Sequence, residues 1–158
     1  MTESQLTELF TKLGAPHPES WARSQIREEI PQLARYLVLR SMWDCVTPTK
    51  YTRWVDRDLK ETSDPAYKKA LEDMLSAGVS REAITCVVRY KEAEALREFS
   101  YVLEDYSSPP RNSDPTTGDA YIRWSLRQLD EKGNPTGRPI DGLHESFWST
   151  DPEAKEQK

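Results

Sequence analysis

The sequence predicts a mainly α protein, a multi-helix bundle with a C-terminal β-hairpin packed on it. Apolar residues recur at helical spacing between recognisable caps up to about Asp105. Six of the 11 prolines and four of the 6 glycines then fall after Tyr106, which marks a change to turns and short strands. Beyond that change Ile122, Trp124 and Leu126 alternate with Arg123, Ser125 and Arg127, the period of a half-buried strand. The layout expected is a helical domain over 1–106, a flexible link over 107–118, a hairpin and short tail packed on the helices over 119–150, and a disordered end over 151–158.

Each element has its own signal. Thr2 and Gln5 form a capping-box pattern, Leu6, Leu9, Phe10 and Leu13 share one face, and Gly14 ends a first helix begun at Glu3. Trp21, Ile26 and Ile30 mark a second helix that stops or kinks at Pro31, and Pro31 suits the first turn of a third. From Leu33 to Val46 apolar residues occupy most of the wheel, as in a central buried helix. Tyr51, Trp54, Val55 and Leu59 keep helical spacing between Pro48 and Pro65. Asp64-Pro65 then reads as a cap and first-turn proline, and the helix it starts runs to Gly78. Ser80 caps the longest helix, striped by Ile84, Val87, Val88, Ala95, Phe99, Val102 and Leu103. Asp130 to Pro135 supplies a reversal, with Ile140 opening a return strand. Core positions are assigned to Leu33, Leu37, Val38, Trp43, Ile84, Val88, Phe99 and Trp124.

Leu, Ile, Val and Phe make up 29 of 158 residues, so the core is modest, while 5 Trp, 7 Tyr and a net charge of only −5 oppose disorder. The acidic balance gives no electrostatic footprint for nucleic acid or an anionic membrane. There is no apolar run of membrane-spanning length and no basic, apolar start of a secretory signal, which leads to the expectation of a cytoplasmic protein. Cys45 and Cys86 lack the CxxC spacing of a metal or redox site and are expected as buried, reduced thiols.

Chemistry-bearing patterns are sparse. Leu75 to Thr85 has the outline of a helix-turn-helix that would put Arg81, Thr85 and Arg89 in a major groove, although an ordinary helix hairpin fits the long second helix better. His144-Glu145, with Asp141 nearby, offers an acid–base pair or half a metal site, but no ligand spacing completes it. No serine sits in a nucleophile elbow, and no glycine-rich phosphate loop is present.

The tail from Trp124-Ser125-Leu126, through Asp130 to Pro135 and Gly142-Leu143-His144-Glu145-Ser146 to Thr150-Asp151-Pro152, resembles that of a family of small uncharacterised bacterial proteins. The resemblance implies a bacterial or phage origin and brings no activity, cofactor or catalytic residue.

The expectation is therefore a non-enzymatic, acidic protein-binding protein of the inhibitor or immunity type, with no cofactor, metal or catalytic residue. Its partner would be another protein with a basic surface. Trp and Tyr dominate interfaces, and of the aromatics Tyr51, Trp54, Tyr106 and Trp148 lie in weakly patterned segments where exposure is expected. The interface is assigned to Tyr51, Trp54, Glu94, Glu98, Asp105 and Tyr106. A helix-turn-helix regulator and a small hydrolase or metal-dependent enzyme using His144 and Glu145 are the alternatives.

Overall fold

The computed structural model describes residues 1–104 and 124–154. These residues are mainly α-helical, with a small antiparallel hairpin toward the C-terminus. The helices are α1 (Glu3–Lys12), α2 (Pro18–Arg27), α3 (Gln32–Trp43), α4 (Trp54–Glu61), α5 (Pro65–Ser76), α6 (Arg81–Glu104) and the single turn α7 (Leu143–Ser146); the strands are β1 (Arg127–Leu129) and β2 (Pro135–Pro139). No described helix is long and apolar enough to cross a membrane. The expected link at 107–118 and residues 119–123 of the expected strand lie outside the described residues.

The sequence puts one helical domain at 1–106, whereas the structure cuts that stretch at Trp43 and Leu96. One compact unit is Met1–Trp43 with Leu96–Lys158, and the other is Asp44–Ala95.

In the first unit α1 opens with the expected capping box: Gln5 N donates to Thr2 Oγ1 at 3.3 Å, and Thr2 N donates to Gln5 Oε1 at 2.9 Å. Leu6 and Phe10 bury against Ala15, Ala22 and Tyr36, and the rings of Phe10, Trp21 and Tyr36 meet at centroid separations of 5.6–6.0 Å. Helix α3 buries Gln32, Arg35, Tyr36, Leu39, Met42 and Trp43, a regular three-and-four stripe. Two of those positions are polar. The expected core residue Leu37 lies off this stripe and is exposed.

The C-terminal segment completes this unit. Trp43 stacks on Phe147 at 4.5 Å, and its Nε1 donates to the Phe147 carbonyl at 3.1 Å and to Thr150 Oγ1 at 3.3 Å. Leu143 and Phe147 are fully buried, each worth about 1.5–3 kcal/mol of transfer free energy. Gly142 adopts φ +65 at the start of α7, and the Arg35 guanidinium donates to its carbonyl; a Cβ at this position would overlap that guanidinium. Asp151–Ala154, placed by the sequence in a disordered end, hold a turn in which Glu153 N donates to Asp151 Oδ1 at 2.9 Å.

Among the described residues, polar contacts tether the hairpin. Arg138 donates to the Glu28 carbonyl at 2.8 Å, and Trp124 Nε1 donates to the Val102 carbonyl at 2.8 Å. Asp130 Oδ1 accepts from Lys132 N and Asn134 N, both at 2.8 Å, and this turn sets where the strands lie. Consequently β1 starts at Arg127 and β2 ends before Ile140, which is buried beyond the strand and does not open it. Trp124 and Phe99, both expected in the core, are 39% and 52% exposed.

The second unit packs Trp54, Val55, Leu71 and Ile84 together, with Leu59, Leu75 and Val88 at the margin. Asp64 caps α5 through Ala66 N and Tyr67 N at 2.9 and 3.1 Å, and Pro65 takes the first turn as the sequence predicts. Gly78, at φ +84, turns the chain toward Ser80, whose Oγ accepts from Ala83 N at 3.1 Å to start α6.

Candidate functional site

Within the second unit, the approach to α4 and the facing sides of α5 and α6 wall a cleft of about 300 Å³. The approach is fixed from both ends of its short loop. Tyr51 N donates to the Pro48 carbonyl at 3.0 Å, and Glu92 on α6 accepts from Thr47 N at 2.7 Å and Thr47 Oγ1 at 3.1 Å. Tyr51, Tyr67, Asp44, Asp58, Glu92 and Arg57 line the cleft, three carboxylates against one guanidinium. Tyr67 Oη donates to Asp58 Oδ2 at 2.9 Å, and Asp58 Oδ1 accepts from Arg57 Nε and Nη2 at 3.1 and 3.0 Å. Desolvation, reinforced by the Asp58 charge, pushes the Tyr67 phenol up to about 12. Tyr51 and Tyr67 nevertheless present 43% and 38% of their surface to solvent.

The expected interface residues divide. Tyr51 is exposed and lines this cleft, as does Trp54, but Trp54 is only 5% exposed. Its indole Nε1 donates to the fully buried Thr85 Oγ1 at 2.9 Å, which makes it a core group and corrects its expected exposure. The reason is periodic: Trp54 and Val55 start α4 on the side that meets Leu71 and Ile84. Glu94 pairs with Lys91 at 2.5 Å. Glu98 pairs with Arg97 at 3.3 Å and belongs to the other unit. Asp105 and Tyr106 lie outside the described residues. Trp148, also expected to be exposed, is 41% exposed. Sequence reasoning did not assign Tyr67, Asp58 or Glu92 to the interface; the Asp64-Pro65 cap, which fixes the first turn of α5, was the available signal for Tyr67.

Of the residues that would read a major groove, Arg81 is held by Asp56 through bonds of 2.7–3.1 Å, and this guanidinium keeps the Asp56 carboxyl below its usual range. Thr85 is fully buried, and Arg89 donates to the Thr47 carbonyl at 3.3 Å.

A second constellation lies in the first unit. His144 Nδ1 stands 2.7 Å from Glu104 Oε2, and His144 N donates to Glu104 Oε1 at 3.1 Å. The Glu104 side chain is 6% exposed, and the imidazole stacks on Tyr101 at 4.1 Å. Arg97 in turn donates to Tyr101 Oη at 2.9 Å. A neutral imidazole that donates from Nδ1 to a carboxylate keeps its Nε2 lone pair, so the arrangement can accept a proton. Glu145, the expected partner of His144, instead lies 3.6 Å from Arg35 Nη2. Asp141 and Arg35 line the same open cavity of about 580 Å³, whose lining among the described residues has no serine, cysteine, threonine or lysine. Among the described residues no group of three or more His, Cys, Asp and Glu could hold a metal ion.

Both cysteines are exposed and neither forms a disulfide, against the expectation of burial. Cys45 follows the end of α3 where the chain leaves the helix, and Cys86 falls on the outer side of α6, beside buried Thr85. No protein-family model matches this chain, and no curated protein or solved structure is significantly similar to it.

Proposed function

We propose that this chain is a non-enzymatic binding protein of the inhibitor or immunity type, of bacterial or phage origin, that recognises a protein with a basic surface. The observation that carries the reading is the cleft of the second unit, where two exposed phenols accompany three carboxylates and a single arginine. A partner lysine or arginine entering it would meet ring faces and negative charge together, and exposed cation–aromatic contacts contribute about 0.5–1 kcal/mol each. The chain's net charge of −5 adds steering toward a basic partner, an effect that salt screens.

The test is copurification of the full chain with proteins from a bacterial lysate, followed by titration of the retained protein. Tyr51→Ala and Tyr67→Ala are each expected to weaken binding roughly two- to fivefold while circular dichroism stays native, and added salt is expected to weaken the wild-type complex. A retained partner that is acidic, or one indifferent to both substitutions, would refute the reading.

One observation favours a second reading, general acid–base hydrolysis at His144: the imidazole is oriented by a buried carboxylate beside an open cavity. Hydrolysis of activated carboxylic and phosphoric ester probes that is lost in His144→Gln would support it. Equal rates in wild type and variant would remove it.

A further inference from the structure

Gln32, in the first turn of α3, is 6% exposed. Its Nε2 donates to Ser24 Oγ at 2.8 Å, and its Oε1 is closed to solvent with no hydrogen-bond partner among the described residues. Exchanging the two ends of the amide does not relieve this, because the Ser24 hydroxyl can serve one end or the other and leaves one amide atom alone. Buried polar atoms without partners are uncommon in folded proteins and call for an explanation.

The same side chain lines a cavity of about 340 Å³ with His17, Ser20, Trp21, Arg35 and Ser149 among its other walls, all within the first unit. The size falls in the range of small-molecule sites. Three further observations describe what would fit. Helix α2 begins at this cavity without a side-chain cap: its N-cap His17 sits in the left-handed region at φ +50 and makes no capping bond. Proline at the first helical position has no N–H and Ser20 N donates to the His17 carbonyl at 2.9 Å, so the Glu19 amide, without a hydrogen bond among the described residues, stands at the positive end of the helix dipole. Arg35 commits Nε and Nη2 to the Gly142 carbonyl, which leaves Nη1 without a hydrogen bond among the described residues. Finally, the lining among the described residues contains no carboxylate, although Glu145 Oε2 lies 3.6 Å from Arg35 Nη2.

We propose that this cavity binds a small hydroxylated anion, a compound that carries a phosphate or carboxylate beside a hydroxyl group. The anionic group would lie toward the start of α2 and Arg35. The hydroxyl would donate to Gln32 Oε1 after a small rotation of the amide, and Trp21 supplies an apolar wall for the carbon skeleton. The site is separate from the aromatic cleft of the second unit and does not depend on the function proposed for it.

The experiment is a titration of the ¹⁵N-labelled full chain with four probes: glucose 6-phosphate, gluconate, glucose and inorganic phosphate. Glucose 6-phosphate or gluconate is expected to shift amides of His17, Ser20, Trp21, Gln32 and Arg35, with about tenfold tighter binding than glucose or phosphate alone. The stronger of the two identifies the anionic group. Gln32→Leu, which removes the lone acceptor, is expected to cost roughly tenfold in affinity. Ser20→Tyr places bulk at an exposed helix position and is expected to abolish binding without disturbing the core, so the test survives if Gln32→Leu fails to fold. No shifts with any probe at ~10 mM, well above a millimolar Kd, would overturn the proposal. So would shifts that map elsewhere, or binding that Ser20→Tyr leaves intact.

Discussion

Trp54 lets packing and hydrogen bonding be separated by substitution. Its side chain is 5% exposed against Val55, Leu71 and Ile84, and its indole donates to Thr85 Oγ1 at 2.9 Å. Thr85 Oγ1 also donates to the Arg81 carbonyl at 2.7 Å, so the hydroxyl is both donor and acceptor in a fully buried position. Trp54→Ala removes a large buried ring and should cost about 3–5 kcal/mol through lost burial and cavity formation. Trp54→Phe keeps most of the ring and loses one hydrogen bond, for a cost of about 1–2 kcal/mol. Thr85→Val keeps the volume but strands the indole N–H, at about 1–3 kcal/mol. The double variant Trp54→Phe/Thr85→Val leaves no orphan donor, and should be less destabilised than the sum of the singles by about 1 kcal/mol. Urea titration followed by far-ultraviolet circular dichroism measures all four. Additive costs, or a Thr85→Val that is as stable as wild type, would refute the claim that this hydrogen bond matters to the core of the second unit.

Other consequences follow from single observations. Alkaline difference spectroscopy should find one phenol titrating near 12, lost in Tyr67→Phe; Asp58→Asn should bring it only part of the way to 10.0, because desolvation is the larger cause. Folding holds that proton more tightly than the unfolded chain does, so the contribution is intact below pH 10 and is lost as pH rises toward 12, which pH-dependent melting would detect. Gly142→Ala should lower the melting temperature, since φ +65 alone costs a non-glycine residue about 1–2 kcal/mol, and adding Arg35→Ala should recover the part due to overlap. Both Cys45 and Cys86 should react with a thiol reagent without denaturant, and protection of either thiol would contradict their exposure.

Much of the fold was legible because its signals are local. The Thr2–Gln5 box, the Asp64-Pro65 cap and the Ser80 cap each lie within a few residues of the helix they start. Burial was less legible in α3, where apolarity points to Leu37 while the buried stripe runs through Gln32 and Arg35. Those polar residues are buried because Ser24 and the Gly142 carbonyl receive them, and such partners cannot be read from the wheel. The sites were the least legible for the same reason. Glu104 meets His144 across 40 positions and Glu92 meets Thr47 across 45, whereas sequence proximity suggested Glu145 for the histidine. Trp54 was misassigned because a charged segment surrounds a tryptophan whose own side of α4 is apolar.

The docking of the tail on α3 has a bearing on how the chain is made. Arg35 waits 107 positions for Gly142, and at about 5–20 residues per second the ribosome needs roughly 5–20 s to deliver it. During that interval the stretch Asp44–Ala95 emerges whole, and its internal partners arrive in one continuous run. Met1–Trp43 meanwhile can pair α1 with α2 but holds the Trp43 indole and the Arg35 guanidinium without the carbonyls that receive them. Synthesis thus orders assembly, with the contiguous unit first and the split unit closed only once Gly142 and Phe147 have left the tunnel.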